Sequence, residues 1–171
     1  MRKLKLFLSL LMLFSICMGN VWADEETYTF NDKTWTATDS SDEDANWSSG
    51  KDGNGFTSGQ GVQVTKGASG ANATSPESFE NISEIVVTYC TNASNGVGTI
   101  HVQVGDNDEK TFSVTKPSSG GTTLKTATFT YSTAETGNVY LEVTCSTNSV
   151  YIHSVQITYT PSNPGSSNPT L

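Results

Sequence analysis

Hydrophobic and polar residues alternate with a period of two along most of this chain. Ile100, Val102 and Val104, for example, are separated by His101 and Gln103. The same alternation recurs in five other segments, at residues 27–30, 34–38, 62–64, 126–131 and 139–144. A strand with one face on a hydrophobic core and the other in water has this pattern. No stretch carries helical periodicity of useful length, so the pattern predicts an almost helix-free chain.

Turn-forming residues separate these segments. Clusters of Gly, Asn, Asp and Ser fall at residues 52–55, 95–96, 105–108, 118–121 and 136–138. Residues 85–89 are apolar on both faces and are predicted to form a central strand. Residues 75–77, with Pro76 at the first helical position, can cap a single helical turn but no more. Many short strands with turns between them predict an all-β sandwich or barrel.

The N-terminus has the three parts of a secretory signal peptide. Residues 1–5 contain three basic residues, residues 6–18 form an apolar run, and residues 21–23 fit the small-residue cleavage box. The apolar run is too short for a membrane span of about 20 residues. A lipid-modified Cys17 is a minor alternative, because a bulky isoleucine precedes it. We therefore expect residues 1–23 to be removed and the protein to be exported, to the periplasm, the cell surface or the medium.

The net charge of the mature chain limits the classes of partner that it is expected to bind. Loss of the three basic residues of the signal peptide moves the formal net charge from −8 to −11. This negative charge repels phosphate backbones, so nucleic acid is not an expected partner. No later segment is apolar enough to span a membrane. We expect one folded module at residues 24–160, followed by a linker or tail at residues 161–171 that is rich in Pro, Ser, Asn and Gly.

The order of the motifs is similar to that of a known group of modules. They are Trp47 with residues 52–55, then residues 61–64, 85–89, 100–105 and 150–159. This order resembles the jelly-roll, galactose-binding-like or carbohydrate-binding-like β-sandwich modules of secreted and surface proteins of gut bacteria. The resemblance spans nearly all of residues 27–160. It implies a two-sheet antiparallel β-sandwich with jelly-roll topology and, by analogy, attachment to carbohydrate or to a surface.

The sequence contains no catalytic signature that we recognise. It has two histidines and lacks the common metalloprotease, nucleophile-elbow, phosphate-loop and paired-cysteine motifs. His101 has the outward parity of an exposed strand residue. His153 is expected to be partly buried and hydrogen-bonded, or to lie in a bulge near Ser154. Carboxylate pairs occur in loops of a domain too small to surround a sugar chain, so a glycosidase is not expected. We therefore expect no enzyme activity.

Aromatic residues beside amides and carboxylates are the candidate ligand site. A sugar-binding protein offers an aromatic plate to the ring and polar groups to the hydroxyls. Trp47 lies in a long polar loop with Asn46, Asp52 and Asn54 and is the first candidate, although it can equally anchor that loop to the sandwich. Tyr140 points outward from its strand and can extend a flat binding face. Trp35 is predicted to be a core residue.

Two further groups leave alternatives open. Asp106, Asp108 and Glu109 offer the hard oxygen ligands that Ca²⁺ prefers, so a structural calcium ion is possible, but a solvated acidic loop is the more frequent meaning of such a cluster. Cys90 and Cys145 can form a disulfide in an exported protein. Strand parity places them on opposite faces, which argues against the bond.

These observations favour a secreted or cell-surface, non-catalytic binding module, with glycan as the favoured ligand class. The alternative is a structural or adhesive spacer for protein–protein or surface assembly that has no small ligand. The expected partners are accordingly a glycan or surface polymer, or other domains or proteins of a surface assembly.

Overall fold

A computed structural model describes residues 23–29, 35, 56–57, 59–66, 71–92, 96–115 and 121–162 of the chain. No residue in these ranges is helical, and about four fifths of them lie in eight strands. The strands are β1 (Asp24–Thr29), β2 (Phe56–Thr57), β3 (Gly61–Thr65), β4 (Ala71–Thr91), β5 (Val97–Val104), β6 (Lys110–Val114), β7 (Lys125–Thr147) and β8 (Ser149–Tyr159). The predicted all-β class is therefore confirmed. The described ranges contain no helix whose length and hydrophobicity would let it cross a membrane.

All strand pairs in the described ranges are antiparallel. Seven of the eight strands follow one hydrogen-bonded path, β2-β3-β8-β4-β7-β5-β6. Strand β1 lies off this path and pairs with β8. One edge of β8 pairs with β4, and β3 and β1 share the other edge, at residues 149–152 and 154–159 respectively. The apolar segment at residues 85–89 lies in β4, at the middle of the path, as predicted.

The two longest strands, β4 and β7, each contribute to both layers of the sandwich. Residues 71–74 of β4 pair with residues 140–143 of β7, and residues 84–89 pair with residues 125–130. The later part of β4 also pairs with β8, whereas the later part of β7 pairs with β5. We call the layer around β8 the first sheet. The second sheet consists of the early part of β4, the later part of β7, β5 and β6.

Bulges bend β4 and β7 between the two sheets. The register between them shifts three times from Thr74 to Glu84, and Pro76 lies in the first of these irregular stretches, where the missing proline N–H costs no ladder bond. The helical turn proposed for residues 75–77 is therefore wrong. Residues 136–138, predicted to separate two strands, instead lie inside β7, where Gly137 has a φ of +152° and packs against Gly105.

The core lies between the two sheets and is built from the alternate residues that the sequence pattern selects. Their side chains form one buried cluster: Val62, Val64, Ile85, Val87, Ile100, Val102, Val104, Ala127, Phe129, Tyr131, Val139, Leu141, Val143, Val155 and Ile157, with others. Trp35 is fully buried and meets Tyr28 edge to face, with ring centroids 5.5 Å apart. The prediction that Trp35 is a core residue is confirmed.

A bulge in β8 lies at His153. Thr88 of β4 is opposite Ser154, and the next β4 residue, Tyr89, is opposite Ile152, so His153 is the extra residue. Its Nδ1 lies 3.3 Å from the Ser154 hydroxyl, and its side chain is half-buried. The predicted bulge near Ser154 is confirmed. The bulge lets Ile152 and Val155, three residues apart, both enter the core.

Cys90 and Cys145 are both buried and both free. Cys145 belongs to the core cluster, whereas Cys90 lies on the other parity of β4 and receives a hydrogen bond from the Gln60 amide at 3.8 Å. Burial raises the pKa of both thiols. The structure therefore favours the parity argument against a disulfide, and neither thiol is activated as a thiolate.

The carboxyl group of Glu135 on β7 is partly buried, which disfavours its charged form. Its Oε2 atom is buried and has no hydrogen-bond partner among the described residues. Burial raises its pKa; Lys110 lowers the pKa and Asp108 raises it further. Because the folded state favours the protonated carboxyl, this group lowers stability as pH rises through its raised pKa.

We therefore expect Glu135→Gln to increase the free energy of unfolding at pH 7, since the neutral amide is easier to bury. The gain over the wild type should shrink as pH falls toward 4, where the carboxyl is protonated in both states. Thermal unfolding of both proteins from pH 4 to 8 measures this difference. A variant that is less stable at pH 7 would show that Glu135 makes a favourable charged contact instead.

Candidate functional site

The outer face of the second sheet gathers polar side chains from four strand segments. Strand alternation turns these residues away from the core, and we call the set the polar face: Asn72, Thr74, Thr99, His101, Gln103, Thr111, Ser113, Tyr140, Glu142 and Thr144. The register aligns them in rows across the sheet. Directly opposed side chains have Cβ atoms about 5 Å apart, so each row can contact one ligand.

Tyr140 is the aromatic residue of the polar face. It lies between Thr74 of β4 and Gln103 of β5, and its ring is half-buried. Its hydroxyl donates a hydrogen bond of 3.0 Å to Oε2 of Glu142, the next outward residue of β7. This bond limits the motion of the ring. The sequence prediction that Tyr140 points outward is confirmed by its position on this face.

The neighbouring row places a histidine between two carboxylates. Glu142 lies between Asn72 and His101. Nδ1 of His101 is 2.9 Å from Oε2 of Glu109, and the side chain of His101 is 21% exposed. Asn72 is buried in spite of its outward parity. This row therefore offers imidazole, carboxylate and amide groups within reach of one another.

The turn between β5 and β6 borders the polar face at the Gln103 end. The Gln103 amide donates to the Asn107 carbonyl at 2.8 Å, and the Asn107 amide donates to the Val104 carbonyl at 2.9 Å. These bonds fix the turn against β5. Together with the pair between His101 and Glu109, they bring the predicted acidic turn and the predicted Tyr140 to the same surface.

The acidic turn between β5 and β6 is exposed to solvent. Asp106 and Asp108 are exposed, and Glu109 contacts His101 rather than either of them. Within the described ranges, no three His, Cys, Asp or Glu side chains are placed to hold a metal ion. Calcium binding by Asp106, Asp108 and Glu109 stays a prediction from the sequence.

A pocket of about 320 Å³ opens at the far end of the same sheet. Its lining is Val97, Gly98, Thr99, Ser113, Val114, Thr115, Thr144, Cys145 and Ser146. Thr99 and Thr144 are directly opposed and belong to the polar face, so the pocket continues that face. The Cys145 thiol is turned to the backbone and donates to the Asn148 carbonyl at 3.2 Å. Hydroxyl groups are therefore the main polar groups that the pocket offers.

The polar face has no lysine or arginine among its described residues. The nearest lysine in sequence, Lys110, is turned away. Its Nζ lies 4.3 Å from the centre of the Tyr131 ring and donates to the Thr130 carbonyl at 2.7 Å. Glu142 and Glu109 therefore set a negative potential on this surface.

Several members of the polar face were not predicted from the sequence. The site residues that were predicted in the long polar loop, Trp47, Asn46, Asp52 and Asn54, lie outside the described residues. Glu142 and Gln103 were not candidates, and His101 was interpreted only as an exposed strand residue. Their outward parity was visible in the sequence, but the pairing of β5 with β7, which makes them neighbours of Tyr140, was not.

No protein-family model and no curated protein sequence matches this chain. Among solved structures, a family two carbohydrate esterase from Cellvibrio japonicus is similar over 81% of this chain and 35% of its own, with 10% identity and a TM-score of 0.39. The structure of infectious bursal disease virus, Gx strain, is similar over 86% and 35%, with 11% identity and a TM-score of 0.41. The chain thus spans about a third of both. TM-scores below 0.5 assign neither family nor function.

Proposed function

We propose that this protein is an exported, non-catalytic module that binds glycan through the polar face. The observation that carries the proposal is the position of Tyr140, a half-buried ring on a β-sheet surface with Glu142, Gln103 and Thr74 around it. A flat aromatic ring packs against the C–H face of a sugar, and surrounding acceptors and donors bind its hydroxyls. The resemblance to jelly-roll, galactose-binding-like modules supports the same function.

The row beside Tyr140 supports the proposal chemically. Glu142 can accept hydrogen bonds from two sugar hydroxyls, and the His101 ring can complete the contacts. The pair between His101 and Glu109 orients the imidazole in advance, which reduces the entropy lost on binding. The sequence-based proposal that Trp47, with Asn46, Asp52 and Asn54, is the first aromatic contact and that Tyr140 extends its binding face is retained beside this one.

Replacement of Tyr140 by alanine tests the proposal. We expect Tyr140→Ala to weaken glycan binding by roughly 1–3 kcal/mol, which is the range for loss of a well-packed aromatic contact. Tyr140→Phe is the matched control, because it keeps the ring and removes the hydroxyl that donates to Glu142. It should retain most of the affinity. Affinity electrophoresis against a panel of plant and microbial polysaccharides finds a ligand, and calorimetry then measures both variants.

The melting temperature of each variant separates binding from folding. Tyr140→Ala should unfold within a few degrees of the wild type, because the ring lies on the outer face of the sheet. A stable Tyr140→Ala protein with unchanged affinity would remove the polar face from the site. A wild-type protein that binds no polysaccharide in the panel would favour the alternative, a spacer that assembles with other proteins.

A further inference from the structure

We infer that the ligand of the polar face is an extended, uncharged glycan chain that runs along β7 from Tyr140 to the pocket beside Ser146. The inference rests on the proposed glycan function and adds the length, direction and charge of the ligand. Three observations carry it: the spacing of outward residues on β7, the pocket at one end of the face, and the sign of the charge on the face.

Outward residues of β7 form a track beside β5. Tyr140, Glu142 and Thr144 lie at every second position opposite Gln103, His101 and Thr99, and Ser146 follows at a bulge, where its hydroxyl donates to the Val97 carbonyl at 3.2 Å. A strand rises about 3.3 Å per residue, so the track is about 20 Å long. This length accommodates several sugar rings in a row, whereas a single sugar at Tyr140 would leave most of the track empty.

The pocket closes one end of the track. It has a volume of about 320 Å³ and is bordered by the hydroxyls of Thr99, Ser113 and Thr144. These side chains are neutral donors and acceptors, which match sugar hydroxyls in both roles. A chain that stacks on Tyr140 and continues along β7 reaches this pocket without leaving the sheet. The pocket and the Tyr140 ring are then two subsites of one ligand.

Charge defines the class of glycan. The track carries Glu142, with Glu109 beside it, and no described lysine or arginine. The carboxylates or sulfates of an acidic polysaccharide would lie against these carboxylates in a partly desolvated site, where repulsion is weakly screened. Neutral hexose and pentose polymers avoid this cost. The face should therefore discriminate against uronate and sulfated chains of the same length.

The test uses the full chain and two groups of probes. Neutral polymers (β-glucan, xylan, mannan and galactan) are compared with polygalacturonate and alginate by affinity electrophoresis. Calorimetry then follows the mono-, di- and tetrasaccharides of the neutral polymer that binds. We expect binding only to neutral polymers, and affinity at least tenfold higher for the tetrasaccharide than for the monosaccharide.

A substitution that fills the pocket tests whether the glycan runs along β7 toward it. Ser113 is exposed on the edge strand β6, so Ser113→Trp should fold and fill the pocket. We expect this variant to lose at least tenfold in tetrasaccharide affinity and to keep disaccharide affinity. Thr128→Trp is the matched control, because Thr128 is exposed on the outer face of the first sheet. It should change neither affinity.

The outcomes separate this inference from the proposed function. Equal affinity for mono- and tetrasaccharide, preference for a uronate polymer, or equal effects of Ser113→Trp and Thr128→Trp would overturn the inference while glycan binding stands. Absence of binding to every polymer, or a harmless Tyr140→Ala change, would overturn the proposed function itself.

Discussion

Gly61→Ala is expected to lower the free energy of unfolding by roughly 3 kcal/mol, the sum of backbone strain and overpacking. Gly61 begins β3 with a φ of +99°, a conformation that residues with a Cβ atom rarely adopt. An added Cβ would lie 2.0 Å from the Ile152 carbonyl oxygen and 2.7 Å from Cα of His153. Both atoms belong to the backbone of β8, so no side-chain rotation can relieve the contact.

Gly59→Ala is the matched control for this prediction. Gly59 has a φ of +78°, but a Cβ there meets nothing within 4 Å. Only the conformational cost applies, so we expect a loss of about 1 kcal/mol. Urea unfolding of both variants measures the difference. Equal losses in the two variants would show that β3 does not approach β8 as closely as the structure indicates.

Leu141→Ala is expected to cost about 2–5 kcal/mol, the range for truncation of a fully buried leucine. Leu141 is 0% exposed and lies on β7 between Tyr140 and Glu142, with Ala73 and Val102 opposite it. Because the opposite residue Ala73 has a small side chain, it cannot fill the cavity that removal of the leucine side chain would leave. The outer polar face should keep its ligand affinity at temperatures where the variant remains folded.

Chemical unfolding and ligand titration on the same sample of Leu141→Ala measure both effects. Thr128→Ala, an exposed change on the outer face of the first sheet, should stay within about 0.5 kcal/mol of the wild type. A loss below 1 kcal/mol for Leu141→Ala would contradict the assignment of the inner face of β7, because that face would then be solvated.

Strand parity was predictable because a period of two needs only the local sequence. It placed Leu141 inside and Tyr140 outside correctly, while apolar residues on both faces identified residues 85–89 as a central strand. The bends of β4 and β7 were not predictable in the same way. Judged from their neighbours in sequence alone, Pro76 and Gly137 indicate turns. The pairing of β4 with β7 shows that they lie instead in the irregular stretch where the two strands bend.

The site was only partly predictable for a related reason. Tyr140 was found from its parity, and a bulge near Ser154 was one of two alternatives that the sequence left for His153. The pairing of His101 with Glu142 joins segments that are distant in sequence, and nothing in either segment specifies the register. The long polar loop around Trp47 lies outside the described residues, so its role still rests on the sequence alone.

The most direct test of the glycan-binding face is backbone amide NMR of the full chain during titration with the neutral tetrasaccharide selected by the panel. The predicted result is a set of shift changes centred on residues 99–103 and 140–146, with little change at residues 126–130 on the outer face of the first sheet. Shift changes confined to residues 126–130, or to any surface outside the second sheet, would contradict the proposed site.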